Sequence, residues 1–302
     1  MNFSKKLSLV LLSACFAAAS NAESITVYGK ANISAQSSDD GGGSFTELKS
    51  NASRVGVKGD LALEDNLSVF YTVEWQVDLA DSSDSDNIKS RNQYLGLQGD
   101  FGKVLIGRND TMLKQMSGSV DIFNDYEADL KGLWKGENRV SNSVTYVSPS
   151  FSGFGFGLTY IAEDSVDGEN GVSAAIHYGD NKFKKSNWFA AFSVDSEVNG
   201  YDIQRAVVQT KIGSWTIGAI AHKQEAVNSN TSESGITASA QYSIKKWKLK
   251  AQYQSLEDDN SISIGTDYKL GNSTKAYAWY TNRGLDQSED KSWLAVGLEH
   301  KF

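Results

Sequence analysis

A two-residue beat runs through most of this chain. Ile236, Ala238, Ala240, Tyr242 and Ile244 alternate with Thr237, Ser239, Gln241 and Ser243; Trp247, Leu249, Ala251 and Tyr253 then alternate with Lys248, Lys250, Gln252 and Gln254. Apolar residues at every second position make a strand with one dry face, and they cannot make one face of a helix. Sixteen such segments are predicted, over 25–34, 52–61, 67–78, 90–99, 102–108, 140–148, 154–162, 171–178, 187–195, 201–212, 215–222, 236–244, 247–254, 261–270, 274–281 and 292–302. Many approach the roughly 9–11 residues that a tilted strand needs to cross a bilayer. The only proline, Pro149, falls between segments and interrupts no ladder.

The connections sort by length. Short ones lie at 62–66, 99–101, 149–153, 179–186, 213–214, 245–246 and 271–273; long ones lie at 35–51, 79–89, 109–139, 163–170, 196–200, 223–235, 255–260 and 282–291. Short turns on one rim and long loops on the other are the pattern of a transmembrane barrel. An even strand number puts both ends of the barrel on the short-turn side. A soluble sandwich has no reason to sort its loops, nor to carry Leu and Trp along the dry face of every strand. The fold class expected is therefore all-β, a sixteen-stranded antiparallel transmembrane β-barrel. Aromatic residues near strand ends (Trp75, Tyr94, Phe101, Tyr146, Phe151, Phe154, Tyr178, Trp188, Trp215, Trp247 and Trp293) suit two interfacial girdles, although aromatics also fill ordinary cores.

Residues 109–139 form the longest stretch without alternation, and they carry Asp110, Asp121, Asp125, Glu127, Asp129 and Glu137. A loop of this length in a compact fold is usually functional or disordered. It is expected to fold back inside the barrel and narrow the channel; a solvated surface loop is the other reading. Acidic clusters also mark the long connections: Asp39-Asp40, Asp81 with Asp84 and Asp86, Glu163 to Glu169, Glu257-Asp258-Asp259, and Asp286 with Glu289-Asp290. They serve solubility, or bridge through divalent cations to phosphates of surface lipid such as lipopolysaccharide.

Residues 1–22 read as a secretory signal peptide: Lys5 and Lys6, a mostly apolar run from Leu7 to Ala19, then small residues at Ser20 and Ala22 before the expected cleavage. A lipoprotein signal ending at Cys15 is the competing reading. Cleavage after Ala22 leaves a barrel domain of 23–302 without cysteine. It also removes two positive charges, taking the net charge from −8 to near −10. That balance argues against nucleic acid as a partner. No motif calls for a cofactor or a metal. His177, His222 and His300 are the only histidines. With no G-x-S-x-G serine and no metal-ligand spacing, an outer-membrane hydrolase has nothing to support it.

Four stretches carry a family likeness: Thr26-Val27-Tyr28-Gly29-Lys30; Ser53 to Gly59; Tyr94 to Gly99 continuing through Phe101-Gly102-Lys103-Val104 to Gly107-Arg108; and Val296-Gly297-Leu298-Glu299-His300-Lys301-Phe302. In this order and spacing the chain resembles the Gram-negative general diffusion porins, the trimeric sixteen-stranded kind. The resemblance implies a homotrimer in the outer membrane, passing ions and small hydrophilic solutes passively. A substrate-specific channel for an oligosaccharide or an anion is the nearest alternative. The resemblance implies that the third long loop folds into the lumen, its carboxylates facing a basic wall. Carried over by position, the wall is Lys30, Arg54 and Arg91, with Lys58 and Arg108 as possible additions. The facing acids come from Asp121, Asp125, Glu127 and Asp129. Some relatives have a further arginine after the loop where this chain has Ser148. Terminal Phe302 corresponds to the family's signal for the barrel-assembly machinery.

The alternation agrees. Lys30 shares a face with Tyr28 and Asn32, and Arg54 shares one with Gly56 and Lys58. A charge facing mid-membrane lipid costs about 2–4 kcal/mol, so these faces turn inward. There they either set a transverse field across the pore or pin the loop in place. The acidic chain and loop lead to an expected weak cation preference.

Overall fold

The computed structural model describes residues 24–64, 66–81, 87–165, 168–229 and 231–302. The signal-peptide reading, and Asp84, Asp86 and Asp167 of the acidic clusters, lie outside the described residues. The strands are β1 (Ser24–Asp39), β2 (Ser44–Ser50), β3 (Arg54–Ala62), β4 (Ser68–Val77), β5 (Ile88–Gly99), β6 (Gly102–Asp110), β7 (Arg139–Val147), β8 (Phe154–Ile161) and β9 (Gly171–Gly179). They continue as β10 (Trp188–Val198), β11 (Tyr201–Ile212), β12 (Trp215–Ala226), β13 (Ser232–Ile244), β14 (Trp247–Leu256), β15 (Asp259–Lys269), β16 (Thr274–Gly284) and β17 (Lys291–Lys301).

These seventeen stretches make sixteen crossings, because β2 and β3 are halves of one strand. β1 pairs with β2 along its second half and with β3 along its first. At the break, side chains replace ladder bonds: Asn32 N–H donates to Ser53 Oγ at 2.9 Å, Ser53 Oγ–H donates to the Asn32 carbonyl at 3.1 Å, and Asn32 Nδ2 donates to the Asn51 carbonyl at 3.1 Å. All pairings are antiparallel, and β1 closes the sheet on β17 from Lys30↔Lys301 to Asp39↔Ser292. Closure leaves no edge strand, which a sheet in hydrocarbon requires. Ile217, Ile236, Leu249, Ile262, Ile264 and Leu294 are exposed, while the alternate positions Gln209, Gln252, Gln254, Ser263 and Thr281 are buried. The protein is thus apolar outside and polar inside, the inverse of a soluble domain.

The sixteen-strand reading holds, but the expected connections 35–51, 196–200, 223–235 and 255–260 were too long. Strands β1, β2, β10, β12, β13 and β14 extend into them, and Asp258 sits at a tight hairpin tip between β14 and β15. Beyond the bilayer both faces of a strand meet water, so the hydrophobic beat fades while the backbone ladder continues. The short-turn aromatic girdle is present as tilted ring pairs, with centroids 4.9 Å apart for Phe154–Tyr178 and 4.6 Å apart for both Trp215–Tyr242 and Trp247–Tyr268. Trp293 is not part of a girdle. It is 3% exposed and packs with Tyr126, Tyr277 and Trp279.

Candidate functional site

The segment between β6 and β7 contains a short helix, α1 (Met112–Met116), capped by Thr111, and a 3-10 turn (Leu130–Gly132) capped by Asp129. Its apolar side chains are fully used. Met112, Met116, Val120, Leu130 and Trp134 pack on Ala175, Phe189, Ala191, Val207 and Ile220 of β9–β12, and Phe123 and Tyr126 pack on Tyr277, Trp279 and Trp293 of β16 and β17. Its backbone is satisfied by strand glutamines. Gln209 Oε1 accepts from Ser119 N–H at 2.8 Å, Gln252 Oε1 accepts from Ile122 N–H at 3.0 Å, and Gln224 Oε1 accepts from Lys135 N–H at 2.8 Å. Gln252 and Gln254 donate to the Ala128 and Leu130 carbonyls at 3.0 and 2.8 Å. The indole N–H of Trp134 donates to the Ser255 carbonyl at 2.7 Å.

Arg205 of β11 is the deepest charged anchor, at 0% exposure. It donates to Glu137 Oε1 at 2.6 Å, Ser117 Oγ at 2.7 Å and the Lys135 carbonyl at 3.2 Å. Its guanidinium lies 5.5 Å from the centre of the Trp134 ring, which also stacks on His222 at 4.3 Å.

The acidic residues of the segment point in two directions. Asp125 faces the wall of β1, β3 and β4: Lys30 Nζ lies 2.5 Å from its Oδ2, and Arg54 Nη1 lies 4.0 Å from its Oδ1. Burial pushes the Asp125 carboxyl up, but the charges of Lys30 and Arg54 outweigh it and hold the carboxyl below the usual range. Arg91 and Arg54 share Glu74 of β4, at 2.6 and 3.8 Å. Glu127 pairs with Lys49 of β2, and its carbonyl accepts from Arg283 Nη2 at 2.5 Å. Asp121, Asp129 and Glu137 instead converge, with carboxylate oxygens within 4.8 Å of one another. Burial, then the neighbouring charges, drives the Asp121 carboxyl well above its ordinary range, and burial pushes Asp129 up to about 6. This trio is the carboxylate group best spaced for a cation among the described residues. Arg205 and Lys131 already pair Glu137 and Asp129, so little excess charge is left to bind one.

Of the expected basic wall, Lys30, Arg54 and Arg91 come together with Asp125. Lys58 and Arg108 do not join them. Lys58 lies over the Tyr28 ring at 5.2 Å, farther along β3. Arg108 follows Gly107, whose φ of 134° suits glycine and begins a bulge against β7 that breaks the alternation. Arg108 Nη1 donates instead to Ser141 Oγ at 2.8 Å. Three wall residues escaped the sequence reading, Lys49, Glu74 and Arg139, while Asp110 was noted there only as one of the insert's acids. Arg139 pairs with Asp110 at 2.9 Å and donates to Asn92 Oδ1 at 2.6 Å. It supplies a basic residue after the loop, where Ser148 had suggested there was none. Its position at the first residue of a strand, beside the insert, was the available signal.

Between the segment and the β2–β7 wall lies a polar cavity of about 980 Å³, lined by seven basic and seven acidic residues. A closed barrel with an apolar exterior, a polar interior and such a cavity defines an outer-membrane channel protein. A family model for Gram-negative porins matches residues 7–288, and the chain belongs to that family. Among curated relatives, the major outer membrane protein P.IB of Neisseria sicca is 26% identical over 85% of this chain and 86% of its own length. That of Neisseria meningitidis serogroup A is 24% identical over 99% and 100%. Among solved structures, an anion-selective porin from Comamonas acidovorans superposes with a TM-score of 0.74 at 18% identity, covering 93% of this chain and all of that one. The Salmonella typhi OmpF structure in complex with daunomycin gives 0.76 at 15%, covering 92% and 97%. The protein is a multi-pass β-barrel of the Gram-negative outer membrane, a diffusion channel and not an enzyme.

Proposed function

We propose that residues 111–138 fold into the channel and form its constriction, with Asp125 and Glu127 facing the basic wall of Lys30, Lys49, Arg54 and Arg91. The Lys30–Asp125 pair carries the reading, because it ties the insert, whose Asp125 lines the polar cavity, to the first strand of the barrel. Ions and small hydrophilic solutes pass between the two charged walls, whose transverse field favours polar solutes over apolar ones. Asp121 and Asp129 line the same cavity, but converge with Glu137 and hold the insert's own fold.

The equal numbers of acidic and basic lining residues, together with the upward shifts of Asp121 and Asp129, reduce the cation preference expected from the acidic sequence to a slight one. We further infer cleavage after Ala22, which leaves β1 starting two residues later at Ser24. A homotrimer, assembly through Phe302 and cation bridging of the rim carboxylates to lipopolysaccharide complete the proposal.

The test is single-channel conductance in a planar bilayer with a variant lacking 121–129. A larger conductance and a larger sugar-exclusion limit are expected. Unchanged values from a folded variant would remove the constriction role.

A further inference from the structure

The inner wall of β13–β17 at the short-turn mouth carries a second charged feature, which shares no lining residue with the mixed-charge cavity. A recess of about 270 Å³ there is lined by Lys245, Lys246, Lys248, Lys269, Lys275 and Lys301, with Asp267 and Glu299 as its only carboxylates. Both carboxylates are already committed. Asp267 Oδ2 lies 3.3 Å from Lys275, and its Oδ1 lies 3.0 Å from Lys250, deeper in the wall. Glu299 lies 3.7 Å from Lys275 and 3.3 Å from Lys301. Lys245, Lys246, Lys248 and Lys269 make no ion pair among the described residues. Ser273 and Thr274 add hydroxyls to the same recess.

Folding has thus concentrated a positive surplus at one mouth of a chain whose net charge is −8. A concave site lined by one sign of charge raises the local concentration of the opposite ion and speeds its arrival. The long-loop rim is the reverse, with Glu257, Asp258, Asp259, Asp286, Glu289 and Asp290 at neighbouring tips. Short turns face the periplasm in barrels of this kind.

We propose that this recess is a binding site for polyvalent oxyanions of the phosphate class, loaded from the periplasmic mouth. Flexible ammonium groups suit it to clustered phosphoryl charge, since each Lys acts as a point charge with three donors. Monovalent anions meet the same surplus but engage fewer ammonium groups, so they pass. The site rests on the barrel and its charge distribution, not on the constriction proposed above, and the two fail separately.

Inorganic tripolyphosphate is the probe. Binding to the detergent-purified full barrel is measured by titration calorimetry, and block of KCl current is measured in planar bilayers with the probe on each side in turn. Saturable binding, and block from one side only, are expected. Both should weaken as salt rises and the Debye length shrinks below about 10 Å. The triple variant K245Q/K248Q/K269Q removes only lysines outside the ion pairs. It should weaken binding at least tenfold while leaving KCl conductance close to wild type. Arg54→Gln, in the other charged cluster, should leave binding unchanged. Wild-type affinity in a folded triple variant, or loss of binding in Arg54→Gln instead, would overturn the assignment, as would equal block from both sides.

Discussion

The ammonium of Lys30 lies 2.5 Å from the carboxylate of Asp125, joining the first strand of the barrel to a segment 95 residues later in the chain. Lys30 is 3% exposed and has no other ion pair among the described residues. Asp125→Asn leaves this ammonium buried beside Arg54 without a counter-charge. Loss of one partner of a buried pair costs about 3–5 kcal/mol. The expected results are a lower melting temperature of the folded barrel in detergent and a shift of the zero-current potential toward anion preference in a KCl gradient. The double variant Lys30→Met with Asp125→Asn should recover most of the stability.

The far side of the segment depends on Arg205, which reaches Glu137, Ser117 and the Lys135 carbonyl while lying against Trp134. Arg205→Ala removes four hydrogen bonds, the fourth being that from its Nε to His222 Nδ1 at 3.4 Å, and leaves Glu137 beside Asp121 and Asp129. The insert should then become mobile without loss of the barrel. The readout is a lower voltage threshold for channel closure and noisier open current, with strand content unchanged by circular dichroism. Quiet, wild-type current would show that the apolar packing of Met112, Leu113 and Phe123 suffices on its own.

How far the sequence spoke depends on the kind of contact. Strand positions were legible because one dry face repeats locally; Lys30, Arg54 and Arg91 came from the family resemblance, with which the alternation agreed for Lys30 and Arg54. Arg108 was misplaced because a bulge at Gly107 is a property of the β6–β7 pairing and leaves no mark on the hydrophobic beat. Lys49 was hidden in what read as a loop, since β2 has a single large apolar residue on each face, Phe45 and Leu48, and so shows no hydrophobic beat. The split of the insert's acids into a wall-facing pair and a self-associating trio was not legible. It depends on which barrel strands the apolar residues between them find, and those contacts span up to about a hundred residues or more of sequence.

The closure of the barrel depends on a missing side chain. Gly29 and Phe302 exchange backbone hydrogen bonds at 2.9 and 3.1 Å, and a β-carbon at Gly29 would run into the Phe302 ring. Gly29→Val should displace the terminal residue from its last pairing. Reduced yield of heat-modifiable folded barrel on refolding into detergent is expected, with Phe302→Ala showing the smaller defect in vitro. If Phe302 also acts as an address for the assembly machinery, the order reverses in cells, where Phe302→Ala loses more outer-membrane protein than Gly29→Val.

Asp129 gives the channel a pH dependence. Burial holds its carboxyl up at about 6, against roughly 3.9 in an unfolded chain, so the folded barrel binds this proton more tightly. The stability it contributes is fully present below about pH 4 and is lost as pH rises through 6. Over the same window the cavity gains negative charge, so preference moves toward cations with rising pH. Zero-current potentials measured in a KCl gradient from pH 4.5 to 7.5 should show an inflection near 6. Asp129→Asn should flatten that inflection while keeping the cap on the Leu130–Gly132 turn, because the amide oxygen still accepts from Lys131 N–H. Persistence of the full inflection in Asp129→Asn would transfer the titration to its neighbour Asp121, and the double variant with Asp121→Asn would then abolish it.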